Sequence, residues 1–389
     1  MSLTHASPRP FQLQVPQADL DELQQRLART RWPDEPPGEA PWSSGTDMTW
    51  LRSLVAHWQH GFDWRAQEAR LNAWPQFKCP VGGIDLHYLH APGEGPRPMP
   101  LLLLHGWPGS VFEFMDLLPR LTQPSRFGGA AADAFTVVAP SLPGYGLSFT
   151  PGQRRIGIDG MADLMATLMS DVLGYPRFGA QGGDWGASVA ARLGWAHAPL
   201  LHGIHLNLMP IPREPAHVTG DSDEERRYLA ELRRWLAEET GYSLQQSTRP
   251  QTLAYAMTDS PVGLAAWISE KFRAWSDCGG DVDSVFSHDA LLADISLYWF
   301  TGAIGASFWP YYARRRDGWP VPEGATVDVP TGYAEFPAEI VRPPRSLAAR
   351  TFTQIQRWQV MPRGGHFAAM EQPQALAEEI RAFFRPLRA

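Results

Sequence analysis

The sequence predicts an α/β fold: a mostly parallel sheet flanked by helices, interrupted by a helical insertion and preceded by a helical N-terminal clasp. Three observations carry this reading. Residues 100–104 and 135–139 are short, continuous apolar runs, as expected of strands buried on both faces. Strand-like and helix-like segments alternate through the first half of the chain, which is how parallel sheets are built. Between Pro212 and Asp317 the strand texture disappears.

Residues 1–80 read as the clasp. Pro16 opens a helical stripe of Leu20, Leu23 and Leu27, closed by Trp32-Pro33. After a Pro/Gly/Ser-rich connector (33–45), a second helix places Trp50, Leu51, Leu54, Val55 and Trp58 on one side, and a third covers 64–71. The stretch is expected to be helical, self-contained and structural. The core's first part is 81–211, with strands expected at 84–89, 100–104, 135–139 and 177–181 and helices at 161–173 and 187–195. The cap is 212–317. It opens with Ser222-Asp223-Glu224-Glu225, the pattern of a capping box, and continues with helices at 252–257, 261–275 and 288–301. The second part of the core, 318–389, has strands expected at 326–330 and 354–360 and a last helix at 375–384.

The chain's 389 residues are 44% hydrophobic and 19% charged, ordinary globular composition that excludes whole-chain disorder. The formal net charge of −7 argues against a broad phosphate-binding face, so nucleic acid is not an expected partner. Cys79 and Cys278 cannot form a disulfide framework and suit a reducing compartment. Residues 1–11 have no apolar export segment, and no apolar run is long enough to span a bilayer. A soluble, cytoplasmic protein is expected.

Three motifs carry chemistry. Gln181-Gly182-Gly183-Asp184-Trp185-Gly186 lies between a short strand and a helix, where a sharp turn can lift one side chain above the sheet. The raised residue is Asp184, not Ser. A carboxylate is already a nucleophile at neutral pH and can displace a leaving group at saturated carbon, giving an ester of the protein that water later cleaves. His105-Gly106-Trp107-Pro108-Gly109-Ser110 follows the buried strand and resembles a loop that supplies an oxyanion-hole N–H. Trp107 and Trp185 are the expected donors. Arg363-Gly364-Gly365-His366-Phe367-Ala368 comes after a late strand, so His366 is the candidate general base. Its acid partner is Glu335 or Glu339, both on the preceding stretch.

Taken together, these motifs make the chain resemble the microsomal-type epoxide hydrolases of the α/β-hydrolase superfamily, over nearly its whole length. Arg31-Trp32-Pro33, Gly61-Phe62-Asp63-Trp64-Arg65 and Asp259-Ser260-Pro261-Val262-Gly263-Leu264 strengthen the likeness. The resemblance implies an α/β-hydrolase core with a cap, no cofactor, and conversion of an apolar epoxide plus water to a vicinal diol through an aspartyl ester. It places the acid at Glu339, through Phe336-Pro337-Ala338-Glu339, and implies two cap tyrosines, Tyr242 and Tyr311, that hydrogen-bond the epoxide oxygen; Tyr312 is adjacent to the second. Animal members carry an N-terminal membrane anchor, which is not expected here. The expected partners are a small epoxide and water, with room for a homodimer. The role could be detoxification, catabolism or biosynthesis. Cap tryptophans 235, 267, 275, 299 and 309 suggest bulky apolar substrates. Three H-x-x-H pairs (His57/His60, His87/His90, His202/His205) lack a third ligand at a recognised spacing, so no metal is expected. Two rival readings are a haloalkane dehalogenase, using the same Asp, and a non-catalytic ligand-binding homologue.

Overall fold

The computed structural model describes residues 7–388, so the reading of residues 1–11 lies partly outside the described residues. One mixed sheet organises the chain. In sequence its strands are β1 (Arg9–Pro10), β2 (Gln76–Val81), β3 (Ile84–Ala91), β4 (Met99–Leu104), β5 (Phe135–Pro140), β6 (Phe178–Gly182), β7 (Leu201–Leu206), β8 (Thr331–Glu335) and β9 (Ile355–Val360). In space the order is β1-β2-β3-β5-β4-β6-β7-β8-β9. The strands β1, β2, β3 and β5 pair antiparallel, and from β5 across to β9 every pairing is parallel. Every residue of β5 and β6 is buried, which is why these runs carry almost no charge. Helices cover both faces and form two apolar layers, one centred on Val138, Ala180 and Ile204, the other on Leu101, Leu103 and Val137.

The first region is not self-contained. Besides helices Gln17–Ala28, Met48–His60 and Trp64–Asn72 it supplies β1 and most of β2 to the sheet. Its helices also bind the later helical region: Arg26 Nη1 donates to the Asp259 carbonyl at 2.8 Å, Thr46 Oγ1 to the Ala266 carbonyl at 2.8 Å, and Trp50 Nε1 to Asp283 at 3.0 Å.

Between β7 and β8 the chain is helical. Pro261–Trp275 and His288–Thr301 form as the sequence predicts, and the helix expected at 252–257 runs Pro250–Asp259. Ser222 Oγ accepts from Glu225 N at 3.1 Å, but Glu225 turns to Thr219, Gly220 and Asp221, not to Ser222 N, so only half of the capping box forms. Three helices were not foreseen: Gly241–Thr248, Ile304–Ser307 and Trp309–Asp317. The strand expected at 326–330 is corrected to β8. Val327 makes an isolated bridge to Phe352, and continuous pairing begins only after Pro330, which has no N–H to give a ladder. Among the described residues no single helix is long and apolar enough to cross a membrane.

Candidate active site

The loops that follow β4, β6, β8 and β9 all leave the sheet at the carboxyl ends of parallel strands, the edge where open α/β sheets bind ligands. Each contributes one element of the site. After β6 the chain turns into helix Asp184–Ala196 through a residue with left-handed backbone, Asp184, at φ +47°. Such a φ strains a side-chain-bearing residue and persists only where its surroundings enforce it. The enforcement comes from close backbone approach. A Cβ at Gly182 would lie 2.3 Å from the Gly186 carbonyl carbon, and one at Gly106 would lie 2.3 Å from Asp184 Oδ1. Glycine is required on both sides of the raised carboxylate.

The loop after β4 turns back over Asp184, and Trp107 N–H donates to Asp184 Oδ1 at 2.7 Å. His105 fixes this loop. Its Nε2 accepts from Leu142 N at 3.1 Å, and burial lowers its pKa to about 4, so it is a neutral structural imidazole. From the cap, Tyr298 OH donates to the Gly109 carbonyl at 2.8 Å. The other oxygen of Asp184, Oδ2, is 3.5 Å from His366 Nε2. His366 Nδ1 is 2.7 Å from Glu339 Oε1, which also accepts from Ile340 N at 2.7 Å. Glu335 is corrected out of the site: its Oε2 accepts from Trp358 Nε1 of β9 at 2.9 Å.

The His366 side chain is 3% exposed and that of Glu339 is 0%, while Asp184 keeps 16%. The histidine and its acid partner are nearly closed off from solvent, and of the three only the nucleophile candidate borders the larger cavity. Burial opposes charge on His366, but the Glu339 and Asp184 carboxylates outweigh it and raise the imidazole to about 10. The histidine loop is clamped from the cap: His366 N donates to the Trp275 carbonyl at 2.8 Å and Gly364 N to Asp277 Oδ2 at 2.8 Å.

Over Asp184 lies a cavity of about 230 Å³, lined by Tyr242, Tyr311, Trp185, Trp235, Leu236 and Trp319 among others. Tyr242 sits on the unforeseen helix Gly241–Thr248 and Tyr311 on Trp309–Asp317. Their rings are 5.6 Å apart, Tyr242 stacked on Trp107 and Tyr311 edge-on to Trp185. Burial and the nearby Asp184 charge raise both phenols above their ordinary range, so both are held protonated. The Tyr311 hydroxyl is buried with no hydrogen-bond partner among the described residues. Tyr312 turns away to stack on Trp309. Of the cap tryptophans, Trp235 lines the cavity and Trp275 packs edge-on against His366; Arg213, Glu214 and Arg314 also line the cavity, so it is not purely apolar.

The structure brings Asp184, His366, Glu339, Tyr242, Tyr311 and the Trp107 N–H together at the carboxyl end of the sheet. Sequence reasoning missed the supports, Tyr298 and Asp277, whose roles exist only once the cap has folded over the core. Histidines of the H-x-x-H pairs have other engagements: His57 with Asp289, His87 with Ser141 and Gln76, His90 with Tyr175. Among the described residues no three of His, Cys, Asp and Glu form a metal-sized group.

Residues 8–114 match the family described as epoxide hydrolase N terminus, and residues 99–229 match the α/β hydrolase fold. A Stigmatella aurantiaca (strain DW4/3-1) protein named "Putative epoxide hydrolase" is 44% identical over 98% of this chain and 85% of its own. Epoxide hydrolase 1 of Oryctolagus cuniculus is 35% identical over 98% and 90%. Among solved structures, juvenile hormone epoxide hydrolase from Bombyx mori superposes with a TM-score of 0.88 at 28% identity, covering 98% of this chain and 95% of that one. The Aspergillus niger epoxide hydrolase gives 0.84 at 29% identity, covering 98% and 97%. With this geometry and these relatives, the chain belongs to the epoxide hydrolase family of the α/β-hydrolase fold.

Proposed function

We propose that Asp184, His366, Glu339, Tyr242 and Tyr311 together open an epoxide and hydrolyse the resulting ester to a vicinal diol. The observation that carries this is the pair of tyrosines set over a carboxylate on a left-handed turn, with the histidine–glutamate pair behind it. Trp107 N–H holds Oδ1 of Asp184, which leaves Oδ2 to attack the epoxide carbon from the back. The ring C–O bond breaks, and its oxygen, still on the substrate, takes hydrogen bonds and a proton from the phenols of Tyr242 and Tyr311. Protonated phenols suit this task because the leaving alkoxide is far more basic than the epoxide.

Ester formation removes the charge of Asp184. One of the two carboxylates that hold His366 protonated is then gone, and its pKa falls from about 10. The imidazolium releases its proton, which returns to the phenolate left by ring opening, and the imidazole becomes a base at the moment a base is needed. It takes a proton from water, the hydroxide adds to the ester carbonyl, and the oxyanion forms on Oδ1 in the hole of the Trp107 and Trp185 N–H groups. On collapse the diol oxygen leaves with the proton held by His366, and the acid proton left on Asp184 passes to the imidazole, which restores the carboxylate and the imidazolium.

The substrate is a small epoxide whose body lies against Trp235, Leu236 and Trp319, in a cavity that Arg213 and Arg314 also line. Segments 1–80 and 212–317 act as clasp and cap on a core of 81–211 and 318–389. Neither a dehalogenase nor a carrier is favoured, since halide release needs no paired phenols and binding alone needs no dry histidine–glutamate pair. The test is the mass of His366→Gln after mixing with styrene oxide: a stable adduct of one substrate mass on Asp184 is expected, and an unmodified protein that still makes diol would refute the reading.

A further inference from the structure

Asp184 borders a second cavity, on the side away from the tyrosines. It measures about 20 Å³, and its lining includes Asp184, His366 and Glu113. A water needs on the order of 10–15 Å³ and two to four polar partners. The small cavity thus has room for one water and none for an epoxide. Trp107 Nε1 has no hydrogen-bond partner among the described residues, and of the remaining polar side chains His105 Nε2 is engaged with Leu142 N and Gln181 with Asn207 at 2.7 Å. Glu113 differs. Neither of its carboxyl oxygens makes a hydrogen bond among the described residues.

Glu113 is held there by its neighbours. It lies on the single turn Val111–Phe114, capped by Ser110, immediately after the loop that holds Asp184. A Cβ at Gly109 would fall 1.3 Å from Glu113 Oε1, so the carboxyl occupies space that only glycine at 109 leaves free. Burial, with the nearby carboxylates of Asp294 and Asp184, pushes the Glu113 carboxyl well above the usual range against the opposing charge of His366, and burial raises Asp294 itself to about 7. Glu113 is therefore a neutral acid.

We propose that Glu113 is a positioning residue for the hydrolytic half-reaction, orienting the single water of the small cavity between itself and His366. The inference rests on the reading of Asp184 and His366 above. Glu113 C=O accepts one O–H of the water, and His366 Nε2 removes the other proton. The oxygen lone pair then forms the bond to the ester carbon, the carbonyl pair moves to Oδ1, and on collapse the diol oxygen leaves with the proton from His366; the water's second proton, left on the Asp184 carboxyl, then passes to His366. Glu113 keeps its own proton throughout. Neutrality matters, because a third carboxylate beside His366 would hold the imidazole protonated and block its action as a base.

The test compares full-length parent, Glu113→Gln and Glu113→Leu in single turnovers of styrene oxide, following formation and decay of the Asp184 ester by intact mass. Ester formation should stay within about threefold in all three. Decay should slow about 100-fold in the Leu variant, the scale of a misplaced reactant, and stay within about threefold of parent in the Gln variant. With decay limiting, kcat and KM of the Leu variant should fall together. If that variant does not fold, Glu113→Ala takes its place in the same measurement. Unchanged decay without the carboxyl, a Gln variant as slow as Leu, or formation slowed in proportion to decay would each overturn the proposal. An ester that forms but decays regardless of Glu113 sinks this inference alone. No ester in any variant, even with His366→Gln added, sinks the nucleophile reading as well.

Discussion

In the proposed reaction His366 is a base whose charge is set by the residue it serves. With Asp184 ionised it is raised to about 10; with Asp184 esterified only Glu339 still raises it. A general base must be neutral, so ester decay should rise with pH along a titration curve whose midpoint lies below 10. Stopped single turnovers across pH would measure it, and a midpoint at or above 10 would contradict the coupling. Removing the phenols acts on the other half-reaction. Tyr242→Phe with Tyr311→Phe should slow ester formation by about 10²–10³-fold, the usual loss for a transition-state hydrogen-bond donor, and leave the thermal midpoint nearly unchanged; full activity would remove both residues from the reaction. Much of this was legible from sequence because each motif is local to one strand end: Asp184 after β6, His366 after β9. The choice between Glu335 and Glu339 was not local. It is decided by Trp358, on a different strand, which takes Glu335. Glu113 carried a faint signal, a lone acid in Val111-Phe112-Glu113-Phe114, but what it faces depends on how two loops meet.

The elements that place these residues depend on glycines more than on side-chain contacts. Gly106→Ala would drive a methyl group to 2.3 Å from Asp184 Oδ1. It should cost far more activity than stability, which parallel measurements of turnover and thermal midpoint would show; a fully active Gly106→Ala would mean that the loop yields easily. Tyr298→Phe removes one buried hydrogen bond from cap to loop. A loss of about 1 kcal/mol is expected in denaturant unfolding. Strands with uniform burial were readable, whereas β7 (Leu201-His202-Gly203-Ile204-His205-Leu206) was not, because two histidines and a glycine interrupt its apolar run. The helices that present Tyr242 and Tyr311 begin beside Gly241 and Pro310, residues that read locally as turn formers, so the tyrosines could be placed only through the family resemblance.

At the scale of the whole molecule, cap and core close around the buried cluster of Asp184, His366 and Glu339, and stability should register its titration. His366 has a folded pKa near 10 against an ordinary 6.5. Its charge therefore stabilises the fold fully below 6.5, and this contribution is lost as pH rises toward 10. The thermal midpoint should drop further between pH 7 and 10 in the parent than in His366→Gln; parallel curves would contradict the raised pKa. The ion pair between the N-terminal region and the cap is a different matter. Asp259 is 83% exposed opposite Arg26, so Arg26→Gln should change stability by no more than about 1 kcal/mol. Everything converges on the covalent step at Asp184. A single turnover in heavy-oxygen water, with the protein then digested and the diol analysed, tests it most directly. The account requires the label in the carboxylate of Asp184 and unlabelled oxygen in the first diol released. Label appearing at once in that diol, with Asp184 unlabelled, would mean that water attacks the epoxide itself and that the ester does not form.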